Sequence, residues 1–147
     1  MVIRRRSKLK DVFVPGPRAL QERDFQNALL VELSSLALVR GWRINTGVVK
    51  TSGGSVVKLA GEGTPDIYGV AWPGLHFEIE CKVAPNTVTE KQAKRIAYVR
   101  DILGALVFVA TARPDQTAKE AAIEWSRRFL EKFEAHTTRV KSLLSVK

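Results

Sequence analysis

The sequence predicts a single α/β domain built around a mixed β-sheet, and three observations predict it. The chain has 147 residues, the size of one ordinary domain and too short for two. Residues 75–83 alternate between apolar and polar side chains, as a strand with two unlike faces does. A helical stretch at 89–103 then separates that strand from 105–110, a continuous apolar run of the kind that buried parallel strands show. Strand, helix and strand in that order form a right-handed crossover unit.

Each element has its own signal. Residues 1–16 read as an irregular basic arm ending in Pro15-Gly16-Pro17, after which Pro17 can open a helix as a first-turn residue. Over 18–39, Phe25, Ala28, Leu29, Leu33 and Leu36 recur at helical spacing, and Gly41 supplies a stop. A short strand follows at 42–45, then a hairpin-like turn at 51–55 and a strand at 56–59. The loop 61–65 leads into a strand at 66–72, which Pro73-Gly74 turns into the strand 75–83. Thr89 starts the crossover helix and Gly104 caps it. A last amphipathic helix spans 115–135, with Ala118, Ala122, Trp125, Phe129 and Phe133 on one stripe. The division is an arm at 1–17, a core at 18–112, and a helix with a basic tail at 113–147.

Composition narrows the function classes. Apolar residues make up 45% and charged residues 27%, as in a soluble globular protein. The longest uncharged runs, 67–77 and 102–112, fall well short of the roughly 18 residues that span a bilayer, so no membrane role is expected. No apolar segment follows the basic first ten residues, so no secretory signal is read and the expected location is the cytoplasm. The lone Cys81, with two distant histidines, excludes disulfides and the usual Cys/His zinc frameworks, which leaves oxygen ligands for any metal. Of the net charge of +9, eight charges lie in residues 1–10 and 137–147. Such ends suit a phosphate backbone, or serve as solubilising tails. Dinucleotide and P-loop glycine motifs, GxSxG and HExxH are absent.

The chemistry converges on two strands. In His76-Phe77-Glu78-Ile79-Glu80-Cys81-Lys82-Val83, the residues Phe77, Ile79, Cys81 and Val83 form a core face. His76, Glu78, Glu80 and Lys82 form a polar one. Alone, Glu80 and Lys82 read as a surface ion pair on a half-exposed strand. The turn at Pro73-Gly74 folds the two strands antiparallel, however, and brings Asp66 towards Glu80. Two converging carboxylates repel unless a hard cation such as Mg2+ lies between them. Lys82, two residues on and on the same face, is placed to activate water and to stabilise a pentavalent phosphate.

These residues, Pro65-Asp66 followed by Glu80-x-Lys82, resemble the PD-(D/E)xK nuclease superfamily. The wider string WRINTG…GEGTPDIYG…HFEIECK…TEKQ, within residues 22–112, looks like its VRR-NUC branch. The resemblance implies a restriction-endonuclease-like fold, with a mixed sheet flanked by helices and a C-terminal helical extension. It implies Asp66 and Glu80 as metal ligands, with the backbone carbonyl of Cys81 as a third, and Lys82 as the catalytic lysine. Gln92 matches the glutamine at the start of the next helix, although Thr89-x-x-Gln92 is also a capping box. Both roles can hold at once. Glu22, four residues before Gln26, fits the expected first-helix glutamate, a further metal and catalytic residue. Its rival is Glu32, which lies towards the edge of the apolar stripe.

Asn45 and Gly47 match an Asn-x-Gly that orients a ligand or forms a turn. Glu78 reads as a support for Glu80 or as a solvent-facing residue. Cys81 reads as a small core hydrophobe, and Trp42, Trp72 and Trp125 read as core or interface residues rather than base-stacking platforms.

The resemblance implies a Mg2+-dependent DNA endonuclease, with Mn2+ substituting, of phage or bacterial type. Branched DNA, a four-way junction or a flap, is the implied substrate. A homodimer is expected because symmetric junction cleavage needs two active sites. The alternatives are a nuclease for plain duplex or single-stranded DNA, a non-catalytic DNA-binding module on the same fold, or a basic structural protein.

Overall fold

The computed structural model describes residues 18–44, 47–58, 60–61 and 63–145. Along them run α1 (Glu22–Ser35), β1 (Val39–Arg43), β2 (Val48–Lys50), β3 (Val56–Lys58), β4 (Ile67–Ala71), β5 (Leu75–Val83), α2 (Glu90–Asp101), β6 (Leu106–Ala112) and α3 (Ala118–Ser145). The main sheet is open and mixed, ordered β1-β4-β5-β6. Its first two pairings are antiparallel, and β5 and β6 are parallel across the α2 crossover.

The apolar face of the sheet builds the core. Phe25, Leu29 and Leu33, one helical turn apart on α1, are buried with Phe77, Ile79 and Cys81 of β5 and with Phe108 and Ala110 of β6. From α3, Ala121 and Ala122 let the helix approach, and Phe129 packs edge-on against Phe77 with ring centroids 4.9 Å apart. Helix α2 covers part of the opposite face, over Glu78 and Glu80. Strand β5 is therefore buried on both sides along most of its length, and its polar face is not the solvated one that alternation alone suggests.

Several boundaries differ from the sequence expectation. Helix α1 begins at Glu22 and ends at Ser35, rather than covering 18–39. Five residues from Val39 onward pair with β4, and that pairing takes precedence over a final helical turn. Gly41 consequently sits inside β1, where an added Cβ would lie 3.2 Å from Leu30 Cδ1, and is no helix stop. The turn at 51–55 forms as expected, with Thr51 N–H donating to Ser55 O at 2.8 Å. It joins β2 and β3 into a separate two-stranded ribbon, and β2 was not foreseen. Helix α3 runs ten residues past position 135, because nothing in 136–145 breaks it: the stretch has neither Gly nor Pro. The basic arm at 1–17 lies outside the described residues. Among the described residues no helix is long and apolar enough to cross a membrane.

Candidate active site

Two strands and the start of two helices frame a cluster of charged side chains. In the antiparallel register Ile67 faces Ile79, so one residue further along Asp66 stands across from Glu80. Asp66 is fixed there by the backbone: its Oδ2 accepts the Cys81 N–H at 2.7 Å, and its carbonyl accepts the Ile44 N–H at 3.0 Å. The preceding loop presses onto the first turn of α2 at Gly63, which has φ +81. A Cβ at that position would lie 2.9 Å from the Lys91 carbonyl, so glycine answers both the conformation and the close approach.

Glu80 is only 3% exposed. Its Oε1 accepts from Lys82 Nζ at 2.7 Å and from Gln92 Nε2 at 2.5 Å. Gln92 does two things at once. Its amide oxygen accepts the Thr89 N–H at 2.8 Å and Thr89 Oγ1 accepts the Gln92 N–H at 3.3 Å, which completes the capping box. The amide nitrogen is left to reach Glu80. The start of α2 is thereby tied to the carboxyl it overlies.

Helix α1 contributes Glu22 from its first turn. Glu22 Oε1 accepts from Asn86 Nδ2 at 3.0 Å and from the Val83 N–H at 3.4 Å, which fastens α1 to the end of β5. Its charge acts on Asp66 and on Lys82. Glu32 lies ten residues further along the same helix, about 15 Å away along its axis, so Glu22 is the first-helix carboxylate at this site.

The electrostatics follow from burial. Burial pushes the Glu80 carboxyl up to about 7, and the nearby Asp66 charge adds to this while Lys82 holds it back. Asp66 is also raised, again by burial, with the Cys81 N–H and the Lys82 charge opposing. The two carboxyls act on each other, so they share the cost of charge at this site. Burial works against charge on Lys82, but the bond to Glu80 and the negative charges around it prevail, so Lys82 stays cationic above its ordinary range. Burial also raises the Cys81 thiol well above its usual value, which leaves it an inert core group.

In comparisons with known proteins, no family model and no curated protein matches this chain.

The site has hard oxygen donors, and among the described residues Lys82 is the cation bonded to Glu80. Three carboxyls, Glu80, Glu22 and Asp66, act on the ammonium of Lys82. Among the described residues no group of three or more His, Cys, Asp and Glu side chains converges as a metal site. Glu22 spends an oxygen on Asn86 and Val83, so the converging pair is Asp66 with Glu80.

Other expected residues lie elsewhere. Asn45 is outside the described residues, and Gly47 is exposed. Glu78 is buried rather than solvent-facing: Arg95 Nε and Nη2 grip its two oxygens at 3.1 and 2.6 Å, and His76 Nε2 lies 3.2 Å away. Trp42 and Trp72 are 48% and 60% exposed and belong to no core. Trp125 packs on the core edge and donates to Thr111 O at 3.1 Å. Arg95 and Asn86 were not foreseen. For Arg95 a signal exists, since it stands three residues after Gln92 and so on the same helix face; for Asn86 none does.

Proposed function

We propose that this chain is a divalent-metal-dependent endonuclease that hydrolyses phosphodiester bonds in DNA, a VRR-NUC-type member of the PD-(D/E)xK superfamily on a restriction-endonuclease-like fold. One observation carries the reading. Asp66 and Glu80 stand on facing strands with Lys82 Nζ 2.7 Å from Glu80, and burial holds the Glu80 carboxyl near 7. A carboxyl pair with Glu80 buried and Asp66 half-buried suits a hard cation in contact with oxygen.

Asp66, Glu80 and the Cys81 backbone carbonyl would hold the ion, which when bound supplies Lewis acidity towards water and the phosphate oxygens. The remaining work falls to the chain. Lys82, kept charged by its neighbours, offers an ammonium to the charge that develops on the phosphorus oxygens. Gln92 orients Glu80 by holding the oxygen that Lys82 also binds. Glu22 ties α1 to the end of β5 and lends negative charge to the site.

The net charge of +9 supports a polyanionic substrate. Branched DNA, cut by a homodimer, is the form proposed here. The test incubates wild type, Asp66→Ala and Lys82→Ala with labelled four-way junction, flap, duplex and single-stranded DNA in Mg2+, Mn2+ or EDTA. Wild type is expected to cut only with metal, the junction or flap first. Asp66→Ala should be inactive, and Lys82→Ala slower by about 100-fold or more. DNA that is bound but uncut under every condition would replace the enzyme with a binding module.

A further inference from the structure

Two large aromatic side chains lie open to solvent beside the carboxyl pair. Trp42 on β1 and Tyr68 on β4 are directly paired in register, and their exposures are 48% and 38%. Their rings stand 5.7 Å apart at an interplanar angle of 32°. Tyr68 is two residues from Asp66 on the same strand, so it shares the Asp66 face of the sheet and lies about one pleat repeat, roughly 6.6 Å, from it. On its other side Tyr68 pairs with Glu78, over which Arg95 is clamped while 41% of the Arg95 side chain stays exposed. The aromatic surface is thus bordered by the carboxyl pair at one end and by a guanidinium at its side.

We infer that Trp42 and Tyr68 form a stacking platform for an unpaired base of the DNA next to the scissile phosphate. This rests on the nuclease reading and adds a requirement for unstacked nucleotides to it. A base within duplex DNA presents only its edges, whereas an unpaired base offers a full π-face to an aromatic surface. A nucleotide needs an apolar face together with polar and cationic surroundings, and across from Tyr68 stands Glu78 with the Arg95 guanidinium clamped on it. Val70 on the same face of β4 and Trp72 just beyond it are exposed too, so it is the nearness of Tyr68 to Asp66 and of Arg95 to Tyr68, not the extent of the apolar surface, that favours a nucleotide over a second copy of the chain.

The test compares wild type, Trp42→Phe, Trp42→Leu and Tyr68→Leu on a flap with an unpaired arm and on a fully paired duplex of the same sequence. Circular dichroism checks that each variant folds. For Trp42→Leu and Tyr68→Leu the ratio of KM on the flap to KM on the duplex is expected to rise about tenfold, in keeping with the loss of one stacked base. Trp42→Phe keeps an aromatic face and should stay near wild type. With 2-aminopurine placed in turn at each unpaired position, wild type should quench one position beside the cut and Trp42→Leu should not. An unchanged ratio in an active Trp42→Leu protein overturns the platform and leaves the nuclease intact. Loss of self-association with the ratio unchanged overturns it also, and makes the surface a contact between copies. A wild type that cuts neither substrate removes the nuclease reading itself, and the platform with it.

Discussion

Glu80 is a carboxyl whose surroundings favour its neutral form. Its ordinary value of 4.5 rises to about 7 in the folded chain, mainly through burial. The stabilisation that comes with the raised value is full below pH 4.5 and is lost as pH climbs through 7. In EDTA, wild type should therefore lose about 2–3 kcal/mol relative to Glu80→Gln between pH 4.5 and pH 8, read from urea unfolding at each pH. Mg2+ should restore the difference at pH 8 and do nothing at pH 4.5, where the carboxyl is protonated. Parallel pH profiles for the two proteins would show that Glu80 is not strained by its burial. Lys82 is perturbed in the opposite sense: its charge is favoured, so its contribution lasts through neutral pH and disappears only in strong alkali.

Among the elements, α2 and β4 impose the tightest requirements. Gln92→Glu keeps an acceptor for the Thr89 N–H, so the cap survives, but it sets a further carboxylate against Glu80. Cleavage should fall at least about tenfold, and the fold should weaken most above pH 7, where both carboxyls ionise, whereas Thr89→Ala should cost about 1 kcal/mol of stability. A Gln92→Glu protein cutting at the wild-type rate would separate Gln92 from the site. In β4, a Cβ on Gly69 would collide with the Arg40 carbonyl and the Phe77 ring, so Gly69→Ala should destabilise the fold by about 2 kcal/mol or more in urea unfolding. The facing of Asp66 and Glu80 was legible in the sequence because the Pro73-Gly74 turn and a strict period of two fix a register. For Gln92 the spacing showed the cap and the resemblance placed it near the site, but neither said which amide atom serves which. Arg95 stayed hidden because a strand pattern does not say which helix covers its polar face. Gly41 misled because a glycine after a helical stripe reads as a stop, whether it ends the helix or gives Leu30 room inside a strand. The length of α3 was missed because a basic tail and a helical last turn carry the same residues.

For the molecule as a whole, charge and chemistry are separated along the sequence. The carboxyl pair lies within the core domain, while most of the net positive charge lies in the chain ends. Removing residues 1–10, with their five Arg and Lys, should weaken DNA binding and lower the slope of log affinity against log salt by up to about 4, with turnover at low salt preserved. An unchanged slope would deny the arm a role. Asp66 and Glu80 together should take a divalent cation, and a Mn2+ titration followed by electron paramagnetic resonance at pH 8 reads this without any DNA. Wild type should bind one Mn2+ per chain, with Asp66→Asn and Glu80→Gln each weaker by about tenfold or more. Equal binding by all three proteins, or none by wild type, would mean that the carboxyl pair holds no metal.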